Sequence, residues 1–356
     1  MKGFGILACP AYSTRKGNPY NYILYSNIER QGHGIYEYDF SVKKSLQFGF
    51  SRKYRIFHIH WPTNVLYGSS FLKAGLRLNV FFLFVNLIKL LGKKVVWTVH
   101  NLEDHEGNFP ALQQKLNAFL YRRVDGFISL NKSGLELIRQ KATHNGHQKF
   151  AHINHPHYQG YYTNEVDKLE ARRRLAIPPD KFVFLFLGQI RAYKNVTGLV
   201  KAYKALGCPQ ALLLIAGSVH KDVREELAQV LQDAPGILFI DSFVEDEDLQ
   251  LYFNGADVVV TPYNKIFNSG SALLNVSFHK PTLAPDLWAL RELKQQVGPR
   301  WIKTYQGQIS PAVLKESMQE IKQDAERLEA ATPLIDSLHP QLIADQTIAF
   351  YRSLLN

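Results

Sequence analysis

The chain has 356 residues, 46% of them hydrophobic, with a net charge of +11 and a pI near 9.4. That length suits two domains, and the apolar share excludes a disordered protein. The basic balance favours an anionic partner: phosphorylated substrates, an anionic membrane or nucleic acid. Nucleic acid is the weakest choice, because no Arg/Gly-rich or zinc-finger pattern accompanies the basic groups at 52–55, 93–94, 122–123 and 172–174.

The opening residues, MKGFGILACPAYS, read as a first strand, and their apolar run is too short for a signal-peptide core. Cys9 and Cys208 are the two cysteines and fall in different predicted domains, so a reducing cytoplasm fits better than a disulfide framework. Next comes Lys16–Gly17–Asn18–Pro19–Tyr20. Asn18 suits an N-cap and Pro19 the first helical position. Gly17 and Asn18 are expected to touch a diphosphate or an acceptor, although capping alone also accounts for Asn18 and Pro19. Trp61 in HIHWP ends a strand and either stacks on an acceptor sugar or belongs to the core.

The segment 71–91, FLKAGLRLNVFFLFVNLIKLL, is interrupted by Lys73, Arg77, Asn79, Asn86 and Lys89, so it is not expected to span a bilayer. It reads as a core helix, as an interfacial helix, or as both at once. After it, VVWTVHNLEDHE brings Thr98, His100, Asn101, Glu103, Asp104, His105 and Glu106 to a strand mouth.

Strands are expected over 3–9, 34–40, 55–60, 94–99, 126–130 and 149–153, with helices near 19–31, 71–91, 111–123 and 132–141 between them. The alternation restarts with strands at 182–187, 211–216, 237–240, 258–261 and 281–284. Helices follow at 195–205, 221–231, 246–254, 269–278 and 286–296, then at 311–331 and 340–355. Such βαβ alternation implies two doubly wound α/β units, with ligands at the carboxyl ends of the strands. The break lies within 155–180, giving domains 1–165 and 166–338 and a terminal helical segment 339–356.

The second unit holds the most informative stretch, FVFLFLGQIRAYKNVT. A buried strand ends at Gly188 and delivers Arg191 and Lys194 beside a helix start, where unpaired N–H groups and partial positive charge favour a diphosphate. A second helix start follows at Asn268–Ser269–Gly270–Ser271, downstream of Tyr263. Helix capping explains one such residue; the NSGS run points to a second phosphate-receptive turn. Gly217 and Ser218, with Phe243 and Val244, are placed to line a nucleotide base. Asp246–Glu247–Asp248 matches an acidic metal-binding pattern, but here it opens a helix, where carboxylates favour the dipole. His144, His147, His152, His155 and His157 lack the spacing of a zinc site. No metal or cofactor is expected.

These motifs, in this order, resemble those of GT-B glycosyltransferases. GADVVVTPY, NSGS and SFHKPTLAP are similar to the donor-binding segment of family-4-like members. KGNPYNYILYSNIERQGHGIYEYDF, HIHWP, VVWTVHNLEDHE and HPHYQGYY resemble the N-terminal half of bacterial exopolysaccharide mannosyltransferases. The resemblance covers essentially the whole chain. It implies two Rossmann-like domains facing a cleft, acceptor on the first and nucleotide-sugar donor on the second, with the last helix packing back on the first. It implies a GDP-sugar, favoured over a UDP-sugar, and a saccharide acceptor on a polyprenyl diphosphate. The cytoplasm, or the inner face of its membrane, follows as the location. His100 matches a histidine near the donor sugar and, with Trp61 and Asn101, marks the acceptor side. Arg191 and Lys194 would stabilise the leaving diphosphate, and Asp104 or Glu106 would be the general base. Retaining relatives carry two glutamates separated by seven residues; here those positions fall near Ile266 and Leu274. That departure favours an inverting enzyme, the alternative being a sugar-nucleotide-binding protein that has lost catalysis.

Overall fold

A computed structural model describes residues 3–67, 70–101, 109–142, 146–268 and 270–356. Backbone contacts divide the chain into two units: Met1–Pro156 with Ser337–Asn356, and His157–Asp336. The expected breaks at 165/166 and 338/339 lie slightly C-terminal of these.

In unit 1 the order is β1 (Gly5–Cys9), α1 (Tyr20–Glu29), β2 (Gly34–Glu37), α2 (Val42–Gly49), β3 (Ile56–Ile59), α3 (Phe71–Leu90), β4 (Lys94–Val99), α4 (Pro110–Arg123), β5 (Gly126–Ser129), α5 (Lys132–Lys141) and β6 (Lys149–His152). The strands pair in parallel in the order β2-β1-β3-β4-β5-β6. Chain direction across the sheet reverses between β1 and β3. Alternation along β3 sorts its side chains: Ile56 joins one core layer, while Phe57 turns to an aromatic group of Tyr38, Phe81 and Phe84 under α3.

In unit 2 the order is α6 (Lys168–Arg174), β7 (Phe182–Leu187), α7 (Val196–Leu206), β8 (Ala211–Ala216), α8 (Arg224–Leu231), β9 (Ile237–Ile240), α9 (Leu249–Gly255), β10 (Val258–Val260), α10 (Gly270–Ser277), β11 (Thr282–Pro285), α11 (Trp288–Val297), β12 (Ile302–Tyr305), α12 (Pro311–Gln323) and α13 (Ala325–Glu329). Its parallel sheet runs β12-β11-β10-β7-β8-β9, with the reversal between β7 and β10. Phe182, Phe184 and Phe186 enter one core layer, Val183 and Leu185 the other. Arg172 is buried and donates to Gly255 O, Pro179 O and Asp257 Oδ2, locking α6 to the end of α9 and the approach to β10. Arg173 and Arg174 pair with Glu170. The basic run at 172–174 is therefore structural.

The chain then returns to unit 1 as α14 (Pro340–Leu355). Ile343, Ile348, Tyr351 and Leu354 complete the core layer built by Ile6, Leu24, Tyr25 and Ile56. At Gly126 an added Cβ would lie 2.8 Å from Leu354 and Phe350, so that strand residue admits the helix only as glycine.

Three elements depart from expectation. Helix α2 forms in a stretch where no element was expected, capped by Ser41, whose Oγ accepts the Lys44 N–H at 3.1 Å. Helix α6 forms in the segment read as a connection, capped by Asp167 at 2.9 Å from Glu170 N. The edge strand β12 extends the second sheet beyond the five strands expected. Truncating Ile343, fully buried where α14 meets the sheet, is expected to cost about 2–5 kcal/mol. Urea unfolding of Ile343→Ala checks this: the midpoint should fall at unchanged slope.

Candidate active site

Because unit 2 is wholly parallel, the carboxyl ends of β7, β8, β9 and β10 open on one edge. Gly188 and Gly217 follow β7 and β8, and both have positive φ, 118° and 150°. A Cβ on Gly217 would meet Gly188 O at 2.1 Å, so the two loops touch backbone to backbone. The β7 loop then makes a short 3-10 turn, Ala192–Lys194, before α7 starts at Val196. It is tied to the β10 loop by Asn264 N–H, which donates to Tyr193 O at 2.8 Å, and by Tyr193 packing edge-on to Tyr263.

Lys194 sits at this junction. Its side chain is only 9% exposed. Its Nζ lies 5.4 Å from the Tyr263 ring centre and 3.5 Å from where a Cβ on Gly188 would be. The ring face offers partial compensation for a cation. Among the described residues Lys194 has neither an ion pair nor a hydrogen bond. Burial lowers its pKa, and the nearby Arg191 charge lowers it further. A buried ammonium without an anion is costly, and proteins pair such groups. Two more buried groups lack partners among the described residues: Thr261 Oγ1 and the Tyr263 hydroxyl. Ser271, in the first turn of α10, interacts with that hydroxyl without completing a hydrogen bond of ordinary geometry. Unsatisfied donors, a bare cation and the start of α10 thus collect at the β7/β10 reversal, where ligands bind in open α/β sheets.

The structure therefore brings together Gly188, Lys194, Gly217, Tyr263 and Ser271, with Arg191 close enough to act on the Lys194 charge. Asn268 and Gly270 lead into α10, and Ser269 lies outside the described residues. Phe243 is exposed in the loop after β9, while Val244 packs into the core layer under α9. Val244 is half-buried there, beside the exposed Phe243. Thr261 was not singled out from the sequence, where it read as the last residue of a strand. A cavity of about 430 Å³, lined by Lys168, Asp257, His279 and Lys280 among others, opens at the opposite, amino end of the strands. Arg172 and Lys168 already neutralise Asp257 there.

In unit 1 the mouths of β3 and β4 carry His60, Trp61 and His100. The Trp61 and His100 rings stack at 4.4 Å and 21°, so Trp61 is partly covered by the histidine it was expected to neighbour. Tyr20, in the first turn of α1, packs edge-on against His100 at 4.9 Å and tilted against His155 at 4.7 Å. Asn18 Oδ1 accepts the Tyr20 N–H at 3.3 Å, but the N-cap of α1 is Pro19 and the helix starts at Tyr20, one residue later than expected. Gly17 has φ 84° and is exposed with Asn18. Asn101 is exposed at the end of the β4 segment; Glu103, Asp104, His105 and Glu106 lie outside the described residues.

Behind the mouth lie groups the sequence did not connect. Burial holds His58 down to about 3 and His155 to about 4. It also holds His60 and His100 well below the usual range, with neighbouring imidazoles adding to the effect. The visible signal was HIH at 58–60 and TVH at 98–100, polar residues at period two on adjacent strands.

The family model described as glycosyl transferases group 1 matches residues 167–275. A GDP-mannose:glycolipid 4-beta-D-mannosyltransferase of Xanthomonas campestris is 27% identical over 317 residues, 87% of this chain and 83% of that protein. Among solved structures, a sucrose-phosphate synthase from Thermosynechococcus elongatus superposes with a TM-score of 0.68 at 14% identity, covering 99% of both chains. Anabaena HepE, solved with UDP and glucose, gives 0.66 at 12% identity over 98% of both. The chain has the GT-B fold and resembles bacterial mannosyltransferases. Its group 1 segment and the Xanthomonas relative support a hexosyltransferase, and the group 1 match spans the loops that carry Gly188, Lys194, Gly217 and Tyr263.

The buried histidines set a pH dependence for this GT-B protein. Unfolded histidine titrates near 6.5, so the unfolded chain binds more protons than the folded one as pH falls below that value. The stability is present in full above pH 6.5 and is lost on acidification towards 4 and 3. The slope is about 1.4 kcal/mol per pH unit for each neutral histidine. Melting temperature should decline steadily from pH 6.5 to 4.5. A flat profile from 6.5 to 5 contradicts a neutral cluster.

Proposed function

We propose that the protein transfers mannose from GDP-mannose to a lipid-linked saccharide in bacterial polysaccharide synthesis, with inversion at the anomeric carbon. The observation that carries this reading is the ammonium of Lys194, buried beside Arg191 at the carboxyl edge of the unit 2 sheet without a counter-anion among the described residues. A diphosphate supplies the missing anion. As the glycosidic bond to the diphosphate breaks, negative charge grows on the leaving GDP. In this reading Lys194, Arg191 and the N–H groups at the start of α10 stabilise it. The Xanthomonas relative, aligned over most of the chain, favours GDP-mannose and a glycolipid. Inversion is favoured by Ile266 and Leu274, both packed against core layers where retaining relatives carry glutamates. In this reading the acceptor hydroxyl gives its proton to Asp104 or Glu106, on unit 1, and no metal or cofactor takes part.

Lys194→Met tests the site without disturbing the fold. Removing a buried unpaired charge is expected to hold or raise the melting temperature of the ligand-free protein. The same change should abolish most of the rise given by GDP-mannose, about 3 kcal/mol at a hundredfold excess over Kd. Mannosyl transfer should fall at least a hundredfold. A variant that keeps the GDP-mannose shift and its turnover removes Lys194 from the donor site.

The lipid part of the reading rests on α2 and α3. On α3, Ala74, Leu78, Phe81, Val85 and Ile88 face the core. The opposite side shows Leu72, Leu76, Leu83 and Leu90, each at least 65% exposed. Their spacing puts them on one stripe about 27 Å long. Val42, Leu46 and Phe50, four residues apart on and just beyond α2, are also exposed. The sequence from 40 to 102 contains ten Lys or Arg and no Asp or Glu. Lys43, Arg52, Lys53 and Lys73, next to these apolar residues in sequence, are exposed. By length and composition α3 could cross a membrane, but its core stripe is packed on the sheet. Apolar stripes flanked by cations suit the surface of an anionic bilayer. Flotation with phosphatidylglycerol vesicles should therefore show binding that weakens with salt and is lost in Leu76→Glu/Leu83→Glu, with the GDP-mannose shift intact. Self-association through the leucines, seen as a dimer that the double variant dissolves, would replace the membrane with a second copy.

A further inference from the structure

A short piece of unit 2 backbone, just past the end of β8, is clamped from both sides. Residues 218–220 continue the path of β8 beyond Gly217. On the β7 side, Ile190 N–H donates to Ser218 O at 2.9 Å and His220 N–H donates to Ile190 O at 2.9 Å, a parallel bridge between Ile190 and Val219. On the other side β9 ends at Ile240, whose carbonyl accepts the Gly217 N–H at 3.0 Å. Beyond that point side chains take over from the strand. Asp241 Oδ1 accepts the Val219 N–H at 3.0 Å, and Arg224 Nη2 donates to Val219 O at 3.2 Å. Arg224 Nη1 also donates to Asp241 Oδ2 at 2.7 Å, closing a ring through both backbone groups of Val219.

Local rules do not account for this pair. Arg224 is the first residue of α8, where the helix dipole disfavours a cation; Glu225 and Glu226, in the same turn, are what the dipole favours. Arg224 is 57% and Asp241 30% exposed, and an ion pair so open to water adds little to global stability. The bond from the Val219 N–H is the main cause that holds the Asp241 carboxyl below its usual range, so the carboxylate is charged near neutrality. What the pair does fix is geometry. With Val219 held on one side, Ser218 and His220 are presented to Ile190 on the other. Ile190 is 1% exposed, so its side chain is anchored in the core as well. Arg191 follows in extended conformation, and its carbonyl accepts the Lys194 N–H at 3.0 Å to start the 3-10 turn. From Asp241 the hydrogen bonds therefore run through residues 218–220 and Ile190 to the backbone that carries both cations.

We propose that Asp241 and Arg224 are positioning residues for the donor: by clamping Val219 they hold residues 217–220 against Ile190, and so fix where Arg191 and the Gly217–Ser218 backbone meet a nucleotide diphosphate, an assignment that rests on reading this edge as the donor site. Each acts through the backbone of Val219. A loop that must be ordered afresh whenever a ligand enters weakens binding of the ground state and of the transition state alike. The effect of the pair therefore belongs in KM and not in kcat. Lys194 is the opposite case, since its charge is asked to stabilise the leaving diphosphate as the bond breaks.

The test compares Asp241→Ala, Asp241→Asn and Arg224→Gln in the full chain. Amide hydrogen exchange of the ligand-free proteins, read by mass spectrometry on peptides covering 188–194 and 218–221, reports the clamp directly, because the Ile190 and His220 amides are the donors of the bridge. In Asp241→Ala both peptides should exchange about tenfold faster while those of β7 and β10 are unchanged. The KM for GDP-mannose should rise about tenfold with kcat within about twofold of the wild type. Asp241→Asn keeps an acceptor for the Val219 N–H and should recover most of both effects. Arg224→Gln leaves that bond in place, serves if the alanine variant does not fold, and should raise KM about threefold. Unchanged exchange at 188–194 in Asp241→Ala and Arg224→Gln overturns the clamp. Faster exchange with an unchanged KM overturns its role at the donor site. A wild type whose melting temperature GDP-mannose does not raise is a failure of the donor reading instead, and exchange at 188–194 still decides the clamp.

Discussion

Among the described residues the ammonium of Lys194 has no anionic partner, and the local design of unit 2 follows from that. To bury a lysine beside Tyr263, the chain must bring the β7 and β10 loops together, which the Asn264–Tyr193 backbone hydrogen bond does. The chain after β7 must turn through a φ of 118°, which favours glycine at 188, and Gly217 must leave room for the carbonyl of Gly188. These requirements make sense if the site is completed by a negatively charged group. A protein selected for stability alone would place methionine or leucine here, because a desolvated charge without a partner lowers stability.

Unit 1 solves a different problem. Its strand mouths are lined with imidazoles, yet none of the buried ones is expected to carry charge near neutrality. Parallel sheets bury the central strands on both faces, so polar groups there must satisfy one another. His58 and His60 point to the same face of β3 as Thr98 and His100 do on β4, and α1 and α14 each supply one phenol to close the set. The result is a polar core held by hydrogen bonds rather than by ion pairs. It costs less desolvation than a charged one.

Much of the architecture was legible. VVWTV, FVFLFL and ALLLIA are continuous apolar runs of the kind that doubly covered parallel strands produce, and Lys94–Val99, Phe182–Leu187 and Ala211–Ala216 are strands at those limits. Short elements were not. Helix α2 is eight residues long and α6 seven, too little for a helical period to stand out, and both depend on a single cap. At the candidate site, the cations and glycines could be named because a strand, a glycine and a helix start are local features. The burial of Lys194 could not, since AYKN reads like any surface turn. Nor could the hydrogen bonds of the buried histidines, whose partners are far apart: Tyr25 is 33 residues from His58 and Tyr351 is 293. Contacts of that range are decided by topology, and no local pattern carries them.

The net charge of +11 is distributed in two physically distinct ways. Between 40 and 102 the excess is diffuse: ten cations without an acid, several of them exposed, beside exposed leucines. Such a field acts over about a Debye length, weakens with salt and discriminates little among anions. Lys194 is its opposite, a single charge in a desolvated pocket, where salt screens weakly and geometry decides what can bind. The two should therefore separate under ionic strength. Salt should release the protein from an anionic surface while leaving its affinity for a diphosphate nearly intact, because only the exposed charges exchange their counter-ions with solvent.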